Sequence, residues 1–194
     1  MSNFKKQIEE DIKEYQTNNS YITNICKDEW AFNYWVLDKL FYEDEELIEE
    51  KIIDYHDLGI DAYEIYEDTK EIYLIQNKYY GTSTSISAEY VKNDFLLWAI
   101  TALENGTYKK SDELQNAFTK YKNHSDFTVY LQLFVTNNLR CAEADEYIKR
   151  FNREHPQYRA EIFYLDDIEE RYYGEIKQNK TNITVKVGSD KEVY

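Results

Sequence analysis

An acid, a carboxamide and an amine occur in this sequence at positions that a β-hairpin would bring together. Between Asp57 and Tyr80, two runs rich in β-forming residues are joined by a short polar turn, which predicts a hairpin. Side chains alternate between the two faces of a strand, so Gln76 and Lys78 share one face of the second strand. Asp61 lies on the partner strand, close enough for the three side chains to converge. Together they could hold one hard cation and activate a water beside it.

Glu29 is a fourth candidate, and a predicted helix carries it. Asp28 is predicted as the N-cap of this helix, and the apolar residues that follow to about Phe41 indicate that the helix is mostly buried. Glu29 falls in the first turn, where a carboxylate stabilises the helix dipole. Two interpretations therefore stay open, which are a purely structural role and a contribution to the candidate site.

Length and composition indicate one domain with a workable core. The chain has 194 residues, of which 42% are hydrophobic and 16% aromatic, and it contains only 5 glycines and 1 proline. No apolar run is long enough to span a bilayer, and the N-terminus lacks the apolar stretch of a signal peptide. We therefore expect no membrane association. Cys26 and Cys141 have no CxxC spacing, so we expect both to be free thiols in a reducing cytoplasm.

The formal net charge of −15 argues against nucleic-acid binding, because phosphate neutralisation usually requires a basic surface. The acidity is uneven: residues 1–70 contain 7 Lys/Arg and 19 Asp/Glu, whereas residues 71–194 contain 16 and 19. The later part could therefore still present a local basic face. Four lysines lie in or beside a predicted helix over 111–122, where they serve either solubility or contact with phosphate; they are Lys109, Lys110, Lys120 and Lys122.

Helical and β patterns alternate along the rest of the chain. Helices are predicted over 3–17, 29–41, 87–105, 111–122, 142–154 and 166–173, and strands at 51–53, in the hairpin, over 127–135 and over 160–165. Crossover helices between strands, together with one antiparallel hairpin, predict an α/β fold with a mixed central sheet and flanking helices. A further strand is predicted in the tail from Glu175, which ends without a closing element. We therefore expect the chain to be a fragment of a longer protein.

Two short segments resemble a known family. Gly59-Ile-Asp-Ala and Ile75-Gln-Asn-Lys resemble the metal-binding motifs of the PD-(D/E)XK nuclease superfamily, in its Mrr-like branch. With Phe134-Val-Thr-Asn-Asn and Ile162-Phe-Tyr-Leu-Asp-Asp they are also similar to the N-terminal domain of abortive-infection phage-resistance (AIPR) proteins. The resemblance covers roughly residues 25–175. It implies a restriction-endonuclease-like αβββαβ core with a helical insertion at 86–122.

The resemblance also implies roles for the candidate residues. Asp61 would be the metal-binding acid, Gln76 would offer a side-chain oxygen, and Lys78 would orient the attacking water or stabilise charge on the phosphate. Glu29 matches the position of an auxiliary acid, and the backbone carbonyl of Asn77 could also contact the ion. The cofactor would be Mg²⁺ or Mn²⁺. Two departures from the pattern are Gln in place of an acid, which lowers metal affinity, and the missing proline before the aspartate.

The resemblance implies a metal-dependent endonuclease domain of a bacterial anti-phage defence protein that hydrolyses DNA. We expect an N-terminal helical extension (1–22), the nuclease-like domain (23–175) and the start of a further C-terminal region (176–194). A homodimer and a phage-derived trigger are also expected.

Two alternatives stay open. One is a catalytically weak or silent module of the same fold that recognises a phage component or a partner. The other is a scaffold in which Lys78 and Asp61 form a buried ion pair. Other chemistries have little support, because the sequence contains no Gly-rich phosphate loop, no HExxH and no Gly-x-Ser-x-Gly elbow.

Overall fold

A mixed four-stranded sheet lies at the centre of the fold. The computed structural model describes residues 2–53, 58–123 and 126–174. The strands follow the order β1 (Ala62–Tyr66), β2 (Glu71–Lys78), β3 (Thr128–Val135) and β4 (Tyr158–Phe163). Strands β1 and β2 form the predicted antiparallel hairpin, whereas β3 pairs parallel with both β2 and β4. The α/β class and the mixed sheet are therefore confirmed.

Helices precede the sheet and connect its parallel strands. They are α1 (Asn3–Asn18), α2 (Asp28–Val36) with a π-helical continuation (Leu37–Phe41), α3 (Glu45–Ile48) with a 3₁₀ turn (Glu49–Lys51), α4 (Ala88–Tyr90), a second π-helical segment (Val91–Leu97), α5 (Trp98–Asn105), α6 (Asp112–Asn123), α7 (Ala142–Glu154) and α8 (165–174). The path from β2 to β3 runs through α4–α6, and the path from β3 to β4 runs through α7. None of the described helices is long and apolar enough to cross a membrane.

Two apolar clusters cover the two faces of the sheet. On one face, Leu74 and Leu131 pack with residues of α5, α6 and α7. On the other face, Ile75 and Phe134 pack with residues of α1, α2 and α8. Successive residues of β2 therefore belong to opposite apolar clusters, as expected for a strand with helices on both faces of its sheet. The N-terminal helix, expected to be an extension, belongs to the second cluster through Phe4, Ile8 and Ile12.

Several local predictions are confirmed by the hydrogen bonds that end or begin an element. The Ser87 hydroxyl caps α4 by accepting the N–H of Tyr90 at 3.1 Å. Gly106 ends α5 in the left-handed conformation, with φ of 66°. The apolar run expected to be a doubly buried strand is β3, which lies inside the sheet.

Several boundaries differ from the prediction. Asp28 lies inside the first turn of α2 rather than at its N-cap, which is Lys27 and has no side-chain capping bond. The strand expected at 51–53 is reduced to a single bridge between Ile52 and Ala62, because a 3₁₀ turn extends to Lys51. Helix α8 spans 165–174 rather than the predicted 166–173. The strand expected in the tail lies outside the described residues.

Candidate functional site

The hairpin brings Asp61 against the end of β2. Asp61 immediately precedes β1, and its backbone N–H donates to the carbonyl of Ile75 at 2.8 Å. This pairing turns the carboxylate toward the neighbouring strand. There, Oδ2 of Asp61 accepts the side-chain amide N–H of Gln76 at 2.7 Å and the backbone N–H of Asn77 at 2.7 Å. The predicted convergence of Asp61 and Gln76 is therefore present in the structure.

The amide of Gln76 faces Asp61 with its nitrogen, whereas the role implied by the resemblance requires its oxygen. Gln76 is 4% exposed, and its Oε1 lies on the side of Gly59. A half-turn of the amide would place two acceptor oxygens together, which is favourable only with a cation between them. In the arrangement seen here, the amide nitrogen donates to the carboxylate instead.

Lys78 ends β2 on the same face as Gln76. Its ammonium lies 4.8 Å from the centre of the Tyr90 ring, so the aromatic face partly offsets the cost of its half-buried charge. No salt bridge joins Lys78 to Asp61 among the residues that the structure describes. The scaffold interpretation requires a buried ion pair between these two residues, and the contact of Lys78 with the Tyr90 ring does not support it.

Glu29, Asp61 and Lys78 line one pocket with a volume of about 390 Å³. Glu29 reaches it from the first turn of α2, where the carboxylate is exposed. Gln76 does not line the pocket but supports Asp61 from one side. The structure thus brings all four predicted residues to one region, three of them at the pocket surface.

The buried side chains of two asparagines also lie at this pocket; sequence analysis considered only the backbone carbonyl of Asn77 and did not include Asn33. Asn77 Nδ2 donates to Oδ1 of Asn33 at 2.9 Å, which links β2 to α2. Oδ1 of Asn77 is buried and has no hydrogen-bond partner among the described residues. Both asparagines lie in apolar runs, so their polarity was the only available signal. Because a buried unpaired carbonyl oxygen is costly, Asn77 is a further candidate ligand for a cation or a polar substrate group.

Gly59 allows the close approach of the loop before β1 to the helix that covers it. Its φ is +78°, and a Cβ at this position would overlap the backbone carbonyl oxygen of Asp94. Asp94 lies in the second π-helical segment, Val91–Leu97. Such segments often occur at functional sites. Gly59 therefore permits the loop geometry that presents Asp61.

Tyr79 provides a neutral hydrogen-bonding group at the pocket. Burial, together with the nearby carboxylates of Glu9, Asp28 and Glu29, raises its pKa to about 12. The phenol therefore stays protonated at neutral pH and can donate a hydrogen bond to an anionic group.

The oxygen atoms at this pocket suit a hard cation, but they carry few negative charges to balance its positive charge. The oxygens at the pocket belong to the carboxylates of Asp61 and Glu29 and to the side-chain amide of Asn77, whereas the Gln76 amide oxygen lies beside Gly59. Within the described ranges, no three His, Cys, Asp or Glu side chains come together as a metal site. Oxygen ligands suit Mg²⁺, which also keeps several waters, so weak Mg²⁺ binding is the expected behaviour.

The four lysines near α6 are solvent-exposed, as expected, and two of them are already engaged. Lys120 pairs with Glu67, and Lys122 donates to the backbone carbonyl of Asn105 at 3.1 Å.

Comparisons with known proteins place no family on this chain: no family model, no curated protein and no solved structure matches it.

Proposed function

We propose that this chain is a metal-dependent endonuclease domain that hydrolyses DNA phosphodiester bonds in an anti-phage defence protein. The observation that supports it is the single pocket lined by Asp61, Lys78 and Glu29 beside the Gln76–Asp61 hydrogen bond. The resemblance to the PD-(D/E)XK superfamily and to AIPR proteins supplies the substrate class and the defence context. The mixed sheet and flanking helices are compatible with a restriction-endonuclease-like core.

Each residue has a distinct role in this proposal. Asp61, Glu29 and the amide oxygen of Gln76 would hold Mg²⁺ or Mn²⁺, which would polarise the phosphate when bound. Lys78 orients the attacking water and stabilises the negative charge that develops on the phosphate oxygens. Asn77 fixes Asp61 through its backbone N–H. The negative charge of the chain, −15, limits non-specific attraction to DNA, so the proposed enzyme depends on local contacts.

A second function is favoured by one specific observation. The Gln76 nitrogen donates to Asp61, and among the described residues the carboxylates that line the pocket are those of Asp61 and Glu29. This arrangement suits a silent nuclease fold that recognises a phage component or a partner protein. The two functions differ in whether the pocket turns over a phosphodiester.

Cleavage of supercoiled plasmid and of single-stranded DNA with Mg²⁺ or Mn²⁺ tests the proposal. We expect metal-dependent nicking by the wild type and its loss in Asp61→Ala and in Lys78→Ala. Lys120→Ala is the matched control, since Lys120 is an exposed lysine paired with Glu67 away from the pocket. This variant should cleave like the wild type.

Two results would refute the nuclease proposal. One is a folded wild type that is inert with both metals on both substrates. The other is cleavage that survives in Asp61→Ala and Lys78→Ala, which would indicate a contaminating enzyme. An inert wild type would favour the recognition module.

A further inference from the structure

A second pocket, of about 470 Å³, lies beside the candidate site. The N-terminus of α1 forms one side of it, and the segments that follow β2 and β3 form the other. Tyr79 and Tyr80 line both pockets, and they directly follow Lys78 in the chain. Volumes of this size are typical of small-ligand sites, which lie between about 300 and 1,000 Å³.

Lys5 brings a nearly fully buried positive charge to this pocket. It is 6% exposed, and its Nζ has no hydrogen-bond partner among the described residues. The ammonium rests over the ring of Tyr79, 3.9 Å from the centroid. Burial lowers the pKa of Lys5 to about 8, and the carboxylates of Glu9 and Asp28 partly oppose this shift. The side chain is therefore still mainly cationic at neutral pH, without an acceptor for its three N–H groups.

The start of α1 adds positive potential at the same place. Ser2 is the N-cap of this 16-residue helix, and its hydroxyl accepts the N–H of Lys5 at 3.1 Å. The N-terminus of a helix favours anions, because its first N–H groups and its dipole point outward. Ser2 and Lys5 both line the pocket, so the helix end and the ammonium act on the same space.

The remaining lining selects what kind of anion fits. Two tyrosine rings, with Leu139 and Leu165, offer apolar and aromatic surface suited to a planar ring. Glu9 also lines the pocket, and its carboxylate disfavours a ligand with a large negative charge. The same carboxylate can accept hydrogen bonds from hydroxyl or amino groups of a ligand. A phosphate joined to a nucleoside has both the anion and the ring.

We propose that this pocket binds a nucleoside monophosphate group, with the Lys5 ammonium and the start of α1 on the phosphate and the tyrosines beside the nucleoside. Two sources share this chemistry. One is a free mononucleotide, and the other is the end of a nucleic-acid strand. The proposal does not depend on cleavage, because binding requires neither a metal nor Asp61.

Isothermal titration calorimetry on the full chain, without divalent cations, tests the proposal with three probes. These are adenosine 5′-monophosphate, a 5′-phosphorylated single-stranded oligonucleotide and inorganic phosphate. We expect Lys5→Met to weaken nucleotide binding by about tenfold or more, whereas Lys6→Met, on the exposed side of α1, binds like the wild type. Asp61→Ala should also bind like the wild type, which separates this pocket from the candidate catalytic site.

Glu9→Gln provides a second test that does not depend on a core substitution. Removing this half-buried carboxylate should strengthen monophosphate binding by about twofold to fivefold. Binding of the mononucleotide identifies a free ligand, whereas binding of the oligonucleotide alone identifies a strand end; either result supports the proposal if it depends on Lys5. Absence of binding by both, equal binding by Lys5→Met, or equal affinity for inorganic phosphate would overturn it.

Discussion

The side-chain nitrogen of Gln76 donates to the Asp61 carboxylate at 2.7 Å, and the same oxygen accepts the backbone N–H of Asn77 at 2.7 Å. Two N–H donors on one oxygen therefore hold this carboxylate against the end of β2. Metal binding in this pocket therefore competes with an existing hydrogen bond. This relationship makes residue 76 the position at which metal dependence can be tested most directly.

Gln76→Glu should make the stability of the protein depend on Mg²⁺. A second buried carboxylate beside Asp61 repels the first, so we expect a loss of roughly 1–3 kcal/mol at neutral pH without metal. Millimolar Mg²⁺ should restore much of this loss, measured as a rise in Tm. Gln132→Glu is the matched control, because Gln132 is equally buried but accepts a hydrogen bond from Arg171. Equal Mg²⁺ effects on both variants would argue against a cation at Asp61.

Much of the fold follows from patterns that act over a few residues. The apolar run that became β3 and the helix predicted to start at about Ser87 both depend on local preferences, and the structure confirms both elements. The alternation in β2 also holds, with Leu74 and Ile75 in opposite apolar clusters. These features could be predicted because neighbouring residues decide them.

The details of the site could not be predicted in the same way. The orientation of the Gln76 amide depends on Asp61, which lies 15 residues earlier, and the Asn33–Asn77 bond joins a helix to a strand 44 residues away. Lys5 has the same limitation: its spacing from Ile8 places it on the apolar face of α1, but spacing alone does not show whether another segment covers a lysine there. Polar contacts between distant segments depend on tertiary packing, which no short pattern records.

Gly59→Ala should destabilise the protein strongly. The residue has φ of +78°, and a methyl group would overlap the carbonyl oxygen of Asp94. We expect a loss of roughly 2–4 kcal/mol of unfolding free energy, measured by urea denaturation, because strain and overlap add. Gly81→Ala is the control: a Cβ there meets nothing within 4 Å, so its effect should stay within about 0.5 kcal/mol. Similar losses in the two variants would contradict the close approach at Gly59.

Lys51→Met should also be destabilising, because it removes the cation beside the Glu43 carboxylate and a hydrogen-bond donor to Glu64. Lys51 bridges Glu43 and Glu64, and the Nζ to Glu64 Oε2 distance is 2.7 Å. Breaking a buried pair by removing one partner costs about 3–5 kcal/mol. Lys70→Met removes an exposed pair with Asp126 and should cost less than about 1 kcal/mol. Chemical denaturation of the two variants side by side measures the difference, and equal losses would show that the Lys51 cluster is effectively solvated.

The same cluster should make stability fall as pH rises. Burial raises the pKa of Glu64 to about 8, and its contact with Glu43 adds to this shift, while Lys51 opposes it. The folded protein therefore keeps a proton that the unfolded chain has released, so the stability from this group is lost between about pH 4.5 and about pH 8. Glu64→Gln should remove this dependence in urea denaturation across that range. A wild type and variant with parallel pH profiles would contradict the shift.

Lys5→Met should stabilise the protein at neutral pH, although it removes a charge. The pKa of Lys5 is lowered by burial to about 8 from 10.5, so the folded protein loses this proton more readily than the unfolded chain. The stability of the wild type should therefore rise between about pH 8 and about pH 10.5, and below that range the buried ammonium lowers it by up to roughly 3 kcal/mol. Because the contact with Tyr79 offsets part of this cost, we expect Lys5→Met to gain about 1–2 kcal/mol near pH 7.

The gain in Lys5→Met should shrink as pH rises toward about 10, because the wild-type amine is then neutral when folded. Lys6→Met controls for the loss of one positive charge from α1, since Lys6 is exposed in the same turn. Its stability should stay within about 0.5 kcal/mol of the wild type at both pH values. Thermal and urea denaturation at the two pH values measure the effect. A gain in Lys5→Met that is the same at both pH values would come from apolar contacts rather than from the buried charge. A loss would mean that Lys5 already has an acceptor, which would also weaken the case for a phosphate beside it.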